Sequence, residues 1–170
     1  MRRTTILLIN VVAGMGLLGA ALTSEARQLK TIAPTPIPGP IITAKTLFVA
    51  NGGGENYTEY GDPFSGEPER PYRQFYAAMK QWGRFRLVTS PSDADLVIEI
   101  RLTAPIIPAI SGPHADYQLR AVVIGPKTHI AMWAVAMHIE DANRQISRDQ
   151  NFDRAMGYIV SQIQGLAGQP

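Results

Sequence analysis

The stretch Asp93-Ala94-Asp95-Leu96-Val97-Ile98-Glu99-Ile100-Arg101-Leu102-Thr103 contains the strongest secondary-structure signal in this sequence. It opens with residues typical of a turn and then alternates strictly. The even-numbered positions from Leu96 to Leu102 are all large and apolar, whereas the odd-numbered positions include Glu99 and Arg101. Because one side needs a core and the other tolerates water, we predict a central strand of a sheet that is covered on one side.

Two short strands and a helix are predicted before this stretch. Residues 45–50 and 85–89 are short runs rich in strand-forming residues. Between them lies a helix whose apolar face follows a spacing of three and four residues and consists of Tyr72, Phe75, Tyr76 and Met79. The order strand, helix, strand predicts a parallel pair with a right-handed crossover. The tight turn at Pro91 then predicts an antiparallel neighbour for the second strand.

A hairpin and a second helix are predicted after it. Residues 117–124 and 129–139 read as the two strands of the hairpin, and a turn at Pro126-Lys127 places Arg120 directly opposite Trp133. The last helix has an apolar stripe made of Phe152, Ala155, Met156, Ile159, Ile163 and Leu166. The patterns together predict an α+β fold, a two-layer sandwich with a mixed sheet of about five strands (β-α-β-β-β-β-α) and two helices on one face.

The start of the chain predicts export. Residues 1–26 combine Arg2-Arg3, an apolar run and a small-residue pattern at Ser24-Glu25-Ala26, the layout of a secretory signal peptide. Residues 27–43 are rich in proline and are predicted to form an extended linker, followed by a single α+β domain over 44–170. There is no cysteine for a disulfide or a lipid anchor. We expect a periplasmic or secreted protein with no stable membrane anchor after leader cleavage.

The charge of the mature chain argues against nucleic-acid binding. Removing residues 1–26 takes away Arg2, Arg3 and Glu25, which leaves 14 basic and 13 acidic residues. A nearly neutral protein lacks the excess of positive charge that binding to a phosphate backbone requires. We therefore expect no nucleic acid among its partners.

The sequence contains no recognisable catalytic, cofactor or metal site. His129 and His138 are nine residues apart on one predicted strand and so point to opposite faces. Asp93 and Asp95 are better explained as acceptors of backbone hydrogen bonds in a turn than as a pair of catalytic carboxylates. No nucleophile, base and orienting group come together. We expect a protein that is not an enzyme and has no cofactor.

The passage from Tyr76 to Val88, followed by Pro91-Ser92-Asp93-Ala94-Asp95-Leu96-Val97, resembles bacterial envelope domains of unknown function. More distantly, it is similar to the amino-terminal domain of TolB-like proteins. In these domains a helix is followed by a glycine, an aromatic residue and a strand, and then by a small residue, Asp-Ala-Asp-Leu and a long strand. The resemblance covers most of residues 45–166. It implies an α+β two-layer fold and an envelope location, and it implies no catalytic residues.

A partner surface is predicted on the sheet face away from the helices. Eight residues should form an apolar area with a charged rim there, namely Val97, Glu99, Arg101, Arg120, Val122, Trp133, Val135 and Met137. Such an area is typical of a docking site. We expect an exported, non-catalytic interaction module of the bacterial cell envelope that binds an unknown envelope protein or a second copy of itself.

The alternative is a glycan-binding or hydrolytic protein that uses the loop at residues 51–69. This loop is rich in acidic and aromatic side chains, and its candidate site residues are Tyr57, Tyr60 and Asp62. A long loop in a small domain is often functional. The sequence leaves this alternative open.

Overall fold

The computed structural model of the protein describes residues 36–54, 63–108, 110 and 112–168. The leader and most of the predicted linker lie outside the described residues, as do Tyr57, Tyr60 and Asp62. The elements, in chain order, are α1 (Gly39–Thr43), β1 (Thr46–Gly54), α2 (Arg70–Trp82), β2 (Arg86–Leu87), β3 (Leu96–Thr103), β4 (Ile106–Ile107), β5 (His114–Ala115), β6 (Gln118–Ile124), β7 (Ala131–His138) and α3 (Gln145–Ala167).

The main sheet has five strands in the order β2-β1-β3-β6-β7. β1 is parallel to both β2 and β3, whereas β6 is antiparallel to β3 and β7. This mixed sheet with its helices confirms the predicted α+β fold, and β3 is the central strand. The predicted antiparallel pairing after Pro91 is wrong. A short 3-10 helix, Pro91–Asp93, carries the chain past β1, so that β3 pairs with the far side of β1.

Asp95 joins the beginnings of β1 and β3. Its Oδ2 accepts the backbone N–H groups of Lys45 at 2.9 Å and Thr46 at 3.0 Å. Its own N–H donates to Thr46 Oγ1 at 2.8 Å. These backbone hydrogen bonds from Lys45 and Thr46 hold the pKa of Asp95 below its usual value. The prediction that Asp95 accepts backbone hydrogen bonds is confirmed, although the partners come from β1 and not from its own turn.

The end of the predicted linker belongs to the fold. Residues Gly39–Thr43 form α1, although an extended linker was predicted for them. Pro40 lies in the first turn, where the missing N–H costs no hydrogen bond. Ile41 is only 2% exposed and packs in the core. Arg84 donates to the carbonyl oxygens of Ile42 and Ala44 at 3.0 and 3.2 Å, which holds the end of α1 in place.

β1 is longer than the sequence predicts. The glycines after Asn51 were expected to form a turn, but the strand continues to Gly54, which pairs with Leu102 after an irregularity in register. Gly53 has a φ of 76°, a value that glycine adopts without strain. A Cβ at Gly52 would lie 2.9 Å from the Glu99 side chain. Gly52 thus leaves room for the Glu99 side chain, and Gly53 supplies the left-handed backbone where the register of β1 and β3 becomes irregular.

The helices α2 and α3 cover one face of the sheet, as predicted. The buried strand residues include Leu47, Ile98 and Leu119, and they pack against Phe75 of α2 and Phe152 of α3. Gly83 ends α2 in the left-handed conformation with a φ of 71°.

The predicted register of the β6–β7 hairpin is wrong by three residues. Arg120 lies opposite Ala136 instead of Trp133, and Leu119 lies opposite Met137. The turn is wider than a Pro-Lys turn, because Gly125 N donates to the carbonyl oxygen of Ile130 at 3.0 Å. An irregularity in register next to Val123 adds to the shift. Since the shift is odd, every side chain of β7 points to the other face.

An ion-pair cluster joins α2 to α3. Arg70 contacts Asp149 at 2.7 Å and Asp153 at 2.8 Å, and its guanidinium lies 4.3 Å from the centre of the Phe152 ring. Ser65 donates to Asp149 from both its N–H and its hydroxyl. Burial raises the pKa of Asp149, but the hydrogen bonds from Ser65 and Arg70 outweigh it and leave that pKa well below its usual value.

The Asp95 bonds can be tested by substitution. Asp95→Ala removes the acceptor that aligns β1 with β3, so we expect a lower urea midpoint of unfolding. Asp93→Ala removes a nearby exposed carboxylate that has no bond to β1, so the midpoint should stay within error of the wild type. Equal midpoints for the two variants would contradict the role given to Asp95.

The Asp149 cluster predicts a pH effect. Asp149→Asn should lower the free energy of unfolding by about 2 kcal/mol near pH 7, because charge-assisted hydrogen bonds are lost. Since folding lowers the pKa of Asp149, the stabilisation by its carboxylate is present above about pH 4 and is lost as the pH falls further. Urea unfolding of wild type and variant should therefore converge in acid. Asp153→Asn, whose carboxylate is 57% exposed, should cost less than about 1 kcal/mol.

Candidate interaction face

The sheet face opposite the helices, called the outer face, has an apolar row at one end. Phe48 of β1 pairs with Val97 of β3, which pairs with Ile124 of β6. All three side chains are half-buried, and none is among the residues that pack against the core. Three apolar side chains on adjacent strands make a continuous strip.

Charged residues follow this apolar row along the strands. Glu99 pairs with Arg101 at 3.2 Å, and Arg101 Nε donates to the carbonyl oxygen of Gly52 at 3.0 Å. Arg120 lies directly opposite Arg101, where like charges repel. Among the described residues, no hydrogen bond or ion pair is formed by the Arg120 side chain. The outer face therefore carries one cation that has no partner within the described part of the chain.

The structure places five of the eight predicted surface residues on the outer face. These are Val97, Glu99, Arg101, Arg120 and Val122. The other three are Trp133, Val135 and Met137, which lie opposite the buried Val123, Ala121 and Leu119 and pack against the core. For these three the predicted shared face is wrong, and the cause is the register shift of β7. Ala134 and Ala136 lie on the outer face instead, where Trp133, Val135 and Met137 were expected. Whether the face binds a partner stays a prediction.

One outer-face residue, Phe48, was not predicted as part of the surface. It sits in an apolar run, where alternation is hidden because both of its neighbours along the strand are also apolar. Its parity relative to Val97 becomes visible only when the strand pairing is known. Ile124 shares the face of Val122 by alternation, as the sequence predicted.

A groove of about 590 Å³ lies at the end of the sheet where β3 begins. Its lining includes Lys45, Lys127 and Asp95 together with Met132 and Thr128. These residues come from the start of β1, the start of β3 and the β6–β7 connection, so no local motif could reveal the groove. The three charged residues that line the groove, Lys45, Asp95 and Lys127, are exposed.

A histidine and an aspartate form a pair near the other end of the sheet. His138 Nδ1 is bonded to Asp116 Oδ1, and Gln118 donates to the second oxygen of the same carboxylate. Asp116 fixes the orientation of the imidazole, as in many catalytic sites. Within the described ranges, however, no serine or threonine hydroxyl is bonded to His138, so the pair lacks a nucleophile.

Within the described residues, no group of three or more metal-ligating side chains occurs. No helix in the same part of the chain is both long and apolar enough to cross a bilayer. The loop candidates Tyr57, Tyr60 and Asp62 lie outside the described residues. Near the end of that loop, Phe64 packs on Tyr117 and Phe152, with ring centres 5.4 and 5.2 Å apart.

No protein-family model matches the chain, and no curated protein matches it. Among solved structures, the chain is similar to a DUF330 protein from Xanthomonas campestris, with 13% sequence identity and a TM-score of 0.43. The match covers 79% of this chain and 90% of that chain. It is also similar to a neuraminyllactose-binding hemagglutinin homologue from Helicobacter pylori, with 10% sequence identity and a TM-score of 0.45. This match covers 74% of this chain and 87% of the homologue. A third similar structure is a PelC dodecamer from Paraburkholderia phytofirmans, with 14% sequence identity and a TM-score of 0.43. This match covers 74% of this chain and 86% of the PelC chain.

None of these three is a TolB-like protein, and that resemblance stays a prediction. All three TM-scores are below 0.5, so the α+β assignment rests on the strand order of this chain itself.

Proposed function

We propose that the protein is an exported, non-catalytic interaction module of the bacterial cell envelope that associates with a second copy of itself through the outer face. The observation that carries this proposal is the apolar row beside Glu99, Arg101 and Arg120 on a face that α2 and α3 leave open. The leader pattern of residues 1–26 supports export.

The charges of the outer face suit a second copy. A twofold interface brings the same patch of both chains together, so the patch must complement itself. The outer face carries an acid, Glu99, and an unpartnered base, Arg120, on neighbouring strands. Rotating one copy by 180° can place Glu99 of each chain against Arg120 of the other.

The size of the face predicts a weak dimer. Strand spacing and rise give the central part of the five-stranded sheet dimensions of about 20 by 20 Å. The total buried area would then be on the order of 1,000 Å², the lower limit for a specific interface. We therefore expect a dimer that dissociates on dilution.

Sedimentation velocity over a range of protein concentrations tests the proposal. The wild type should shift from monomer to dimer as the concentration rises, and Val97→Lys should remain monomeric because it places a charge in the apolar row. Arg120→Glu and Glu99→Arg should each weaken the dimer, since each sets like charges against each other.

A charge-swap control separates docking from damage to the fold. An equimolar mixture of Arg120→Glu and Glu99→Arg should form a heterodimer, because each acid again meets a base across the interface. Lys80→Glu, an equal charge change on the exposed side of α2, should leave the dimer intact. A wild type that stays monomeric at every concentration, or a mixture that does not associate, contradicts the proposal.

A further inference from the structure

The β3–β6 pair continues beyond the main sheet as a two-stranded ribbon, formed by residues 104–108 and 112–117. Thr103 pairs with Gln118, and three residues further Ile106 pairs with Ala115 in the same register. The N–H of Asp116 donates to the carbonyl oxygen of Pro105 at 2.9 Å, which bridges the gap between the two ladders. β4 and β5 pair only with each other in the described structure, so the ribbon projects past the sheet.

Isoleucines on the ribbon are open to solvent on both of its sides. Ile106 is 58% exposed and Ile107 is 38% exposed, and successive strand residues point in opposite directions. Ile110, in the turn that joins the two strands, is fully exposed. A groove on another protein would cover one side of the ribbon, whereas a bilayer surrounds it on all sides.

The composition of the ribbon suits an apolar medium. The sequence has no Asp, Glu, Lys or Arg between Leu102 and Ala115. Pro105, Pro108 and Pro113 have no N–H group, so fewer backbone donors need a partner when water is removed. The backbone bonds between β4 and β5 satisfy further polar groups within the ribbon itself.

The charges at the base of the ribbon complement an anionic surface. Arg101 and Arg120 form the first charged cross-strand pair behind it, about 17 Å from Ile106 along the strand. The nearer acid, Asp116, is bonded to His138 and Gln118, and its side chain is 13% exposed. At about 17 Å, the two arginines are roughly two Debye lengths, at physiological ionic strength, from lipid headgroups level with Ile106. They therefore attract an anionic surface mainly at low salt, where the Debye length is longer.

We propose that the ribbon inserts Ile106, Ile107 and Ile110 into the surface of an anionic lipid bilayer. The contact is peripheral and reversible, because only the ribbon enters the bilayer. It does not depend on association through the outer face, since the ribbon isoleucines lie beyond the main sheet.

A fluorescent label reports insertion directly. The chain has no cysteine, so Ile107→Cys in the full chain accepts one environment-sensitive dye. With vesicles of phosphatidylglycerol and phosphatidylethanolamine, the dye should shift to the blue and be protected from an aqueous quencher. The matched control is Ile130→Cys, because Ile130 is 63% exposed in the β6–β7 connection, at the opposite end of β6. Its dye should not change.

Vesicle sedimentation of unlabelled protein supplies the second measurement. Replacing Ile106 and Ile107 together by serine should weaken binding at least tenfold, and Ile130→Ser should leave it unchanged. Arg120→Gln should weaken binding to anionic vesicles at low salt, whereas Val97→Lys should not.

Two results would overturn this proposal. One is an Ile107→Cys dye that stays accessible to the quencher on vesicles. The other is a blue shift that occurs without vesicles as the protein concentration is raised, which would assign the ribbon to a protein partner. A wild type that forms the dimer but does not bind vesicles would reject the ribbon proposal alone. A wild type that binds vesicles but stays monomeric at every concentration would reject only the outer-face dimer.

Discussion

The structure depends on the pairing of β3 with a parallel strand on one side and an antiparallel strand on the other. Asp95 aligns the parallel side, because its carboxylate accepts the N–H groups of Lys45 and Thr46 at the start of β1. Continuous pairing from Val97 to Thr103 aligns the antiparallel side with β6. Once both registers are set, alternation along β3 sends Ile98 into the core and Val97 to the outer face.

Alternation and helical spacing predicted the fold class, the central strand and the two covering helices. These signals are local, and each is repeated over many residues. The register of β7 failed because it depends on the width of one turn and on one irregularity beside Val123. His129, a non-glycine residue with a φ of 56°, lies in that turn, and nothing in the sequence marks it for the left-handed conformation.

The candidate site was predicted only in part for the same reason. Residues of β3 and β6 were assigned to the outer face correctly, since their alternation is strict. Trp133 was assigned to it wrongly, because an odd shift of a strand exchanges its two faces. The pair of Asp116 and His138 joins residues 22 apart in the sequence, and the groove at Lys45 and Lys127 joins residues still further apart. Neither leaves a local pattern.

The outer face and the ribbon are two surfaces of the described residues, and they differ in chemistry. The outer face combines the apolar row of Phe48, Val97 and Ile124 with charges of both signs, which suits a protein surface. The ribbon has no Asp, Glu, Lys or Arg between Leu102 and Ala115 and exposes isoleucines on both sides, which suits lipid. The apolar row and the ribbon isoleucines are separate residues, and only Arg101 and Arg120 serve both surfaces, so the apolar parts of the two contacts can form in one molecule at an envelope surface.

The outer face depends on the register of β7, which turns the alanines of this strand to the outer face and Trp133, Val135 and Met137 to the core. Alkylation rates of single-cysteine variants in the folded protein measure this orientation. We expect Ala134→Cys to react quickly and Val135→Cys to be protected until the protein is unfolded. Rapid reaction at Val135→Cys together with protection at Ala134→Cys would contradict the register and the outer face built on it.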